Sequence, residues 1–144
     1  MANPAFKLLN EGWNADPVSP MPEVEVDGAA VHLKLFLNYY AYAAAEDEAC
    51  RLTFLNCSAW RLGRTNDEGW YRGQCRYTGV APKWGEFFEI IGPDHRRTWP
   101  DDWKVLTSVS TFDRHFLFYL KDNTFECFAK DWSFERGLER TIVI

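Results

Sequence analysis

Residues 114–130 read Arg-His-Phe-Leu-Phe-Tyr-Leu-Lys-Asp-Asn-Thr-Phe-Glu-Cys-Phe-Ala-Lys, and this stretch decides the fold. Two runs in which every second side chain is apolar flank Asp122-Asn123, a pair typical of tight turns. The pattern predicts a β-hairpin with strands at Arg114–Lys121 and Thr124–Lys130 and a two-residue loop. One face of this hairpin is expected to be apolar throughout and to point into a core: Phe116, Phe118, Leu120, Phe125, Cys127 and Ala129.

The second face of the predicted hairpin mixes polar and apolar side chains. With a two-residue loop, Tyr119 lies opposite Glu126, Leu117 lies opposite Phe128, and His115 lies opposite Lys130. A one-residue slip would pair polar with apolar positions along the whole ribbon. The sequence therefore predicts this register together with the two faces.

A period of two recurs along much of the chain. Residues 31–37 and 50–54 alternate between apolar and polar side chains, and the second run loses phase near Leu55, which indicates a β-bulge or a strand buried on both faces. The intervening Ala43–Ala49 segment is expected to form a short helical turn or a hairpin loop. Further strands are predicted at Trp70–Tyr77, Trp84–Ile91, Trp103–Ser108 and Thr141–Ile144.

About eight strands at this spacing predict a mainly β fold, an antiparallel sandwich or barrel-like sheet, with one or two short helices. A proline followed by two aspartates favours a helix at Pro100–Lys104. Residues 1–22 hold four of the seven prolines and are predicted to form an irregular arm with one helical turn at Phe6–Asn10. Residues 1–144 thus form one β-rich domain, with the arm laid across the core by Phe6, Leu8, Leu9 and Trp13.

Composition excludes several classes of protein. The 144 residues carry 21 acidic and 16 basic side chains, a net charge of −5, and 17% aromatic residues. This balance is typical of a globular chain and disfavours duplex nucleic acid, which needs a basic face. The longest apolar run, Tyr39–Ala45, is too short to span a membrane, and the first residues lack an export signal, which predicts a cytoplasmic protein.

The four cysteines are expected to be buried thiols. They lack the spacing of a zinc site or a C-x-x-C motif, and with only three histidines in the chain we expect no metal and no cofactor. His32 and His115 both fall in predicted strands and could meet across a sheet. Cys127 and His115 are predicted on opposite faces of the hairpin, which argues against a nucleophile–base pair.

The mixed face of the hairpin carries the candidate catalytic residues. Glu126 lies among aromatic residues, which favours a raised pKa, and together with His115 or Tyr119 it suggests an acid–base site. The alternative is an ordinary Tyr119–Glu126 hydrogen bond on a solvated face.

A second set of residues has the chemistry of a polar binding site. Asn66, Asp67 and Glu68 precede Gly69-Trp70 in a turn-forming loop, which lacks the ligand spacing of a calcium loop. A self-capped turn is the alternative. Arginine and aromatic residues also interleave between Trp60 and Tyr77, as they do in single-stranded nucleic-acid sites and in ordinary strands. The net charge disfavours nucleic-acid binding, so Trp70 is assigned with the loop to a site for a polar ligand.

Three stretches resemble a family of small bacterial proteins for which no activity is established. They are Leu9–Pro17, the loop Arg-Leu-Gly-Arg-Thr-Asn-Asp-Glu-Gly at 61–69, and a motif of the form H-F-x-F-x-x-x-D-x-T-F-E-C-x-A at the hairpin. The resemblance implies a bacterial, cytoplasmic protein and no catalytic role. It draws attention to Asn66, Asp67, Glu68, His115, Asp122, Thr124 and Glu126.

The sequence leaves two functions open. Missing catalytic motifs and a surplus of aromatic and arginine side chains favour a non-catalytic module that binds a small polar ligand or a protein partner, with a homodimer as a further alternative. The second function is a small hydrolase or isomerase that uses Glu126 with His115 or Tyr119 as acid–base groups.

Overall fold

The computed structural model describes residues 3–64, 67–73, 75–94, 96–99 and 101–138, with the backbone alone at 67, 68 and 138. This part of the chain contains ten strands and one five-residue helix, so the fold is mainly β as predicted. None of it forms a helix long or apolar enough to traverse a bilayer. In chain order the elements are β1 (Ala5–Leu8), β2 (Glu23–Asp27), β3 (Ala30–Phe36), β4 (Ala49–Leu55), β5 (Ala59–Gly63), α1 (Asp67–Tyr71), β6 (Phe87–Ile91), β7 (Lys104–Val105), β8 (Arg114–Tyr119), β9 (Thr124–Ala129) and β10 (Asp131–Leu138).

The strands form two antiparallel sheets that pack face to face. The six-stranded sheet has the order β1-β6-β8-β9-β5-β7, and the four-stranded sheet has the order β10-β4-β3-β2. Phe54 of β4 contacts the rings of Phe87, Phe116 and Phe125 across the interface. The predicted sandwich is therefore confirmed, with two strands more than expected.

The alternating runs in β3 and β4 bury their apolar faces completely. Val31, Leu33 and Leu35, like Cys50, Leu52 and Phe54, are inaccessible to solvent. The phase slip near Leu55 marks neither a bulge nor a doubly buried strand. The strand simply ends there, since Leu55 is 43% exposed and Asn56 adopts a left-handed φ of 50°. The segment before β4 is a loop rather than a helical turn.

The central hairpin keeps its predicted faces but not its predicted register. Tyr119 pairs with Thr124 rather than Glu126, and Leu117 pairs with Glu126 rather than Phe128. The loop spans four residues, 120–123, because the Leu120 N–H donates to the Asn123 carbonyl oxygen at 2.8 Å and Lys121 takes no part in strand pairing. A shift of two residues preserves which side chains face the core, so the hydrophobic pattern alone could not detect it.

Several other predicted elements are wrong or shorter than expected. Trp70–Tyr77 is not a strand, because α1 occupies its start and Gly73 and Tyr77 have left-handed φ angles of 75° and 63°. The strand predicted at Trp103–Ser108 reduces to β7, and the one at Trp84–Ile91 begins only at Phe87. Thr141–Ile144 lies outside the described residues.

The two predicted helical turns also fail in the described residues. Phe6–Asn10 overlaps β1, which pairs antiparallel with β6 at the sheet edge. Pro100 is outside the described residues, and residues 101–103 are irregular, since the Asp102 carboxylate binds Arg61 at 2.8 and 2.9 Å instead of beginning a helix.

The N-terminal arm crosses the open end of the sandwich much as predicted. Trp13 is buried there and stacks on Phe134 of β10, with ring centroids 4.2 Å apart. Leu9 packs against the same core. Leu8 was expected to join them, but it is 40% exposed, although it lies on the same face of β1 as Phe6, which packs against Tyr77 and Phe88.

The outer face of the six-stranded sheet is covered by the segments that precede and follow β6. We call the described residues within 64–86, 92–103 and 106–113 the cover. Cys75, Tyr77 and Ala81 of the cover form a second apolar cluster with four sheet residues, Phe88, Ile90, Leu117 and Tyr119. The mixed face of the hairpin is therefore buried and not solvated.

Candidate functional site

His115 and Glu126 meet on the covered face of the hairpin. The observed register places Glu126 opposite Leu117, so that His115 lies one diagonal step away. The His115 Nε2 atom is 2.8 Å from Oε1 of Glu126. His115 is 1% exposed and Glu126 is fully buried. The two-residue shift in register thus brings together the His115 and Glu126 side chains, which the predicted register would have kept apart.

Two arginines complete the surroundings of the Glu126 carboxylate. Arg61 on β5 lies beside Glu126 in the strand register and donates from Nη1 to Oε2 at 3.0 Å. Arg76, from the cover, donates from Nε to Oε2 at 2.7 Å and from Nη2 to Oε1 at 3.1 Å. Each carboxylate oxygen therefore accepts two hydrogen bonds, which is the condition under which a buried charge is tolerated.

These partners keep Glu126 ionised. Burial by itself raises the pKa of the carboxyl, but the hydrogen bond from His115 and the positive charge of Arg76 outweigh it and hold the pKa of Glu126 at about 2. The sequence favoured a raised pKa from the aromatic neighbours. That expectation is wrong because the hydrogen bond from His115, together with Arg76 from outside the hairpin, outweighs the effect of burial.

His115 is neutral in this setting. Burial lowers its pKa, and the charges of Arg76 and Arg97 act in the same direction against the pull of Glu126. Since Glu126 is ionised, the hydrogen-bond network assigns the ring proton to Nε2, which donates to the carboxylate. Nδ1 then carries a lone pair and has no partner in the described part of the chain.

A ring of further contacts fastens the cover to this centre. Arg61 also binds Asp102, and the Arg76 Nη2 atom donates to the carbonyl of Arg96 at 3.0 Å. The Tyr77 hydroxyl donates to Asp94 Oδ2 at 2.5 Å. Arg97 lies over the Phe128 ring at 4.6 Å. We call Glu126, His115, Arg61 and Arg76 the Glu126 cluster, and its contacts show that it ties the cover to the sheet.

Tyr119 does not bond to Glu126. Its hydroxyl donates to the backbone carbonyl of Arg76 at 2.8 Å. The ring packs against Trp70 at 5.1 Å and against Trp84 at 4.8 Å. The predicted cross-strand Tyr119–Glu126 hydrogen bond is therefore wrong, although both side chains lie on the predicted face.

Asn66 lies outside the described residues, and of Asp67 and Glu68 only the backbone, within α1, is described. The other candidate side chains do not gather around Glu126. Asp122 is exposed at the hairpin tip, whereas Thr124 is buried in the strand beside Gly63. Trp70 alone packs against a residue of the predicted acid–base set, the ring of Tyr119.

No metal site forms among the described His, Cys, Asp and Glu side chains. His32 and His115 lie in different sheets, so they do not meet as the sequence allowed; His32 instead contacts Thr53 at 2.9 Å. His95 is outside the described residues. All four cysteines are free and buried, as predicted, and Cys127 points into the core away from His115.

An open cleft lies next to the cluster, between the arm, the hairpin loop and the start of β6. We call it the Trp84 cleft; its volume is about 220 Å³, and its lining includes Asn14, Asp16, Asn38, Trp84, Tyr119 and Lys121. The Trp84 and Tyr119 rings, inclined at 34°, supply its aromatic side. Asn38 and Lys121 supply polar groups at its rim. Tyr119 thus connects the buried cluster to a solvent-accessible cavity.

Sequence reasoning missed Arg61, Arg76 and Trp84 as site residues. The interleaving of arginine and aromatic residues between Trp60 and Tyr77 was the available signal, but it does not show which arginine reaches Glu126. Arg61 lies 65 residues from Glu126 along the chain, and Arg76 lies 50 residues from it. Only the tertiary fold brings them together.

Comparisons with known proteins add no relative. No protein-family model matches the chain, and no curated protein or solved structure matches it either. The resemblance to a bacterial family therefore stays a prediction. The geometry of the Trp84 cleft and of the Glu126 cluster is what bears on function.

Proposed function

We propose that this protein is a non-catalytic module that binds a small polar ligand in the Trp84 cleft. The observation that carries the proposal is the combination in one open cavity of two aromatic rings, two asparagines, an aspartate and a lysine. Small-molecule sites typically combine such an apolar wall with a few polar groups that fix orientation.

The polar groups of the cleft differ in how many of their hydrogen-bonding atoms are already used within the protein. Asn14 is committed to the fold, because its amide donates to the Gly85 carbonyl and accepts from the Ala15 N–H. Asn38 uses its Oδ1 to accept from two backbone N–H groups. Lys121 forms no ion pair with any described residue. Its ammonium group is therefore the polar group of the cleft that is most available to a ligand.

The acid–base alternative has less support from the geometry. Glu126 is fully buried, and each of its oxygens is already bonded to two donors. A carboxylate whose pKa is about 2 is a weak base at neutral pH. Tyr119 keeps its proton, because burial raises its pKa and its hydroxyl is bonded to a backbone carbonyl.

The state of the cysteines bears on the cellular compartment that we propose. Four free, buried cysteines are typical of a reducing compartment, which supports a cytoplasmic protein. A protein partner or a homodimer remains a prediction from the sequence.

A ligand screen tests the proposed function. We expect at least one class among hexoses, amino acids, nucleosides and small carboxylates to cause saturable NMR shifts at the Trp84 indole N–H and at Asn38. Lys121→Ala should weaken that binding about 10-fold, as expected for the loss of a charged hydrogen bond worth roughly 1.5 kcal/mol.

Lys104→Ala is the matched control, since it removes the same charge at the far edge of the six-stranded sheet. It should leave affinity unchanged within about twofold, well below the effect of a direct contact. Saturable shifts confined to other surfaces, or equal losses in the two lysine variants, would contradict the assignment of the ligand to this cleft.

A further inference from the structure

A second cleft lies on the other side of Asp16, and no part of the proposed function uses it. We call it the Tyr39 cleft; its volume is about 300 Å³, and its lining includes Asp16, Val18, Met21, Tyr39, Tyr40 and Asp47. The arm forms one wall, and the loop that follows β3 forms the other. This volume lies at the lower end of small-molecule sites, which are roughly 300–1,000 Å³.

Two adjacent tyrosines form the aromatic part of the cleft. The rings of Tyr39 and Tyr40 lie 4.2 Å apart at their centroids, and the Tyr39 hydroxyl donates to that of Tyr40 at 2.9 Å. The Tyr40 backbone is fixed by a hydrogen bond to Asn38 Oδ1. Tyr40 nevertheless remains 65% exposed, so that its ring is available to a ligand.

The carboxylates of the cleft lack cationic partners. Asp16 uses Oδ1 to accept the N–H groups of Val18 and Ser19, at 2.8 and 3.0 Å. Neither Asp16 nor Asp47 forms an ion pair within the described ranges. The hydrogen bond to Tyr40 and, to a smaller degree, the charges of Glu46 and Asp16 raise the pKa of Tyr39 to about 12, so its ring stays neutral.

The net negative charge of the chain lies in its first 50 residues, which supply the whole lining of this cleft. Residues 1–50 carry eight acidic and two basic side chains, whereas residues 51–144 carry thirteen acidic and fourteen basic ones. One of the two basic residues, Lys34, is bound to Glu25 at 2.7 Å. A cleft in such a region attracts cations from solution.

We propose that the Tyr39 cleft binds a small organic ammonium ion, with its alkyl groups against the tyrosine rings and its charge beside Asp16 and Asp47. Aromatic faces attract ammonium groups electrostatically, and alkylated ammonium ions lose little hydration when they bind. Val18 and Met21 add apolar surface for the alkyl groups. A bare metal ion fits less well, because calcium requires six to eight oxygen ligands and no described group of three His, Cys, Asp or Glu side chains meets here.

The test compares choline with its neutral carbon isostere, 3,3-dimethyl-1-butanol, on the full-length protein at low ionic strength. NMR shifts of Asp16, Tyr40 and Asp47 report binding at the cleft. We expect choline to saturate these shifts, and we expect the isostere to bind about 10-fold more weakly because it lacks the charge.

Three variants locate the interaction. Asp16→Asn keeps the Oδ1 acceptor and should weaken choline binding about 5-fold, and Tyr40→Leu should weaken it about 3- to 10-fold through loss of the aromatic face. Asp27→Asn removes the same charge from the acidic half but from a residue that does not line the cleft, and it should leave binding within about twofold.

Equal binding of choline and its isostere would overturn the proposal. So would equal losses in the Asp16 and Asp27 variants, saturation by Ca²⁺ without saturation by choline, or the absence of saturable shifts at roughly 50 mM choline. Asp16 lines both clefts, so the two sites are separated by residues that line one of them: Tyr40→Leu should weaken choline binding, and Lys121→Ala should not change it.

Discussion

Replacing Glu126 with glutamine should lower the free energy of unfolding by about 3–5 kcal/mol, as is typical when one partner of a buried ion pair is removed. Glutamine has nearly the same shape, so the change isolates the charge. Arg61 and Arg76 would then be buried beside a neutral amide. The NH₂ group of that amide would replace one carboxylate oxygen and would face an N–H donor that needs an acceptor. Urea denaturation at neutral pH measures the loss.

Glu135→Gln provides the matched control for Glu126→Gln. Glu135 also pairs with an arginine, Arg51, but 52% of its side chain is exposed. Removing that pair should cost less than about 1 kcal/mol, because solvent screens it. Similar losses in the two variants would show that Glu126 is not a buried charge.

The effect of Glu126→Gln should also depend on pH in a defined direction. The pKa of Glu126 in the folded protein, about 2, lies below its ordinary value of 4.5. The unfolded chain therefore binds the proton first as the pH falls, and the stabilisation by the ionised carboxylate is lost between pH 4.5 and 2. The difference between wild type and Glu126→Gln should be constant above this window and shrink within it.

Phe54→Ala should lower the free energy of unfolding by about 3–5 kcal/mol as well, through a cavity between the sheets. Phe54 is fully buried, and its ring lies 5.2–6.1 Å from those of Phe116, Phe125 and Phe87 in the facing sheet. These rings belong to three different strands, so the surrounding side chains cannot close the space by moving together. Thermal and urea unfolding should agree on the loss.

Phe112→Ala is the control for the loss of a phenylalanine ring. Phe112 is 88% exposed, and its removal should change stability by less than about 0.5 kcal/mol. A loss below about 1.5 kcal/mol for Phe54→Ala would contradict the packing of the two sheets described above, since fully buried phenylalanines cost more than this.

Alternation of apolar residues predicted the core of the sandwich well. The inward faces of β3, β4 and the central hairpin follow from a period of two, because burial of every second side chain is the same physical requirement in each strand. The same signal was present in β2 and β10, where Val24 and Val26, and Trp132 and Phe134, alternate with polar residues. The sequence therefore contained the signal for both edge strands, although neither strand was predicted.

The register of the hairpin lies beyond what alternation can determine. Both the two-residue and the four-residue loop place Phe118 and Phe125 in the core, so hydrophobic burial does not choose between them. The choice rests on the backbone hydrogen bond between Leu120 and Asn123. It decides whether His115 reaches Glu126, and hence the geometry of the candidate site.

The chemistry of Glu126 could not be read from its neighbours in sequence. Its aromatic neighbours favour a raised pKa, whereas His115 from the paired strand β8 and Arg76 from the cover lower it. The alternation of apolar residues placed Glu126 on the correct face of the hairpin. The partners that set its charge are fixed by tertiary contacts.

The most direct test of the ionised, buried Glu126 is its own titration, followed by the ¹³C shift of its side-chain carboxyl. We expect an ionised carboxylate at neutral pH that begins to titrate only below roughly pH 4, with an apparent pKa near 2. This result would identify Glu126 as the charged anchor of the cover. An apparent pKa at or above the ordinary 4.5 would contradict it and would return Glu126 to the acid–base role.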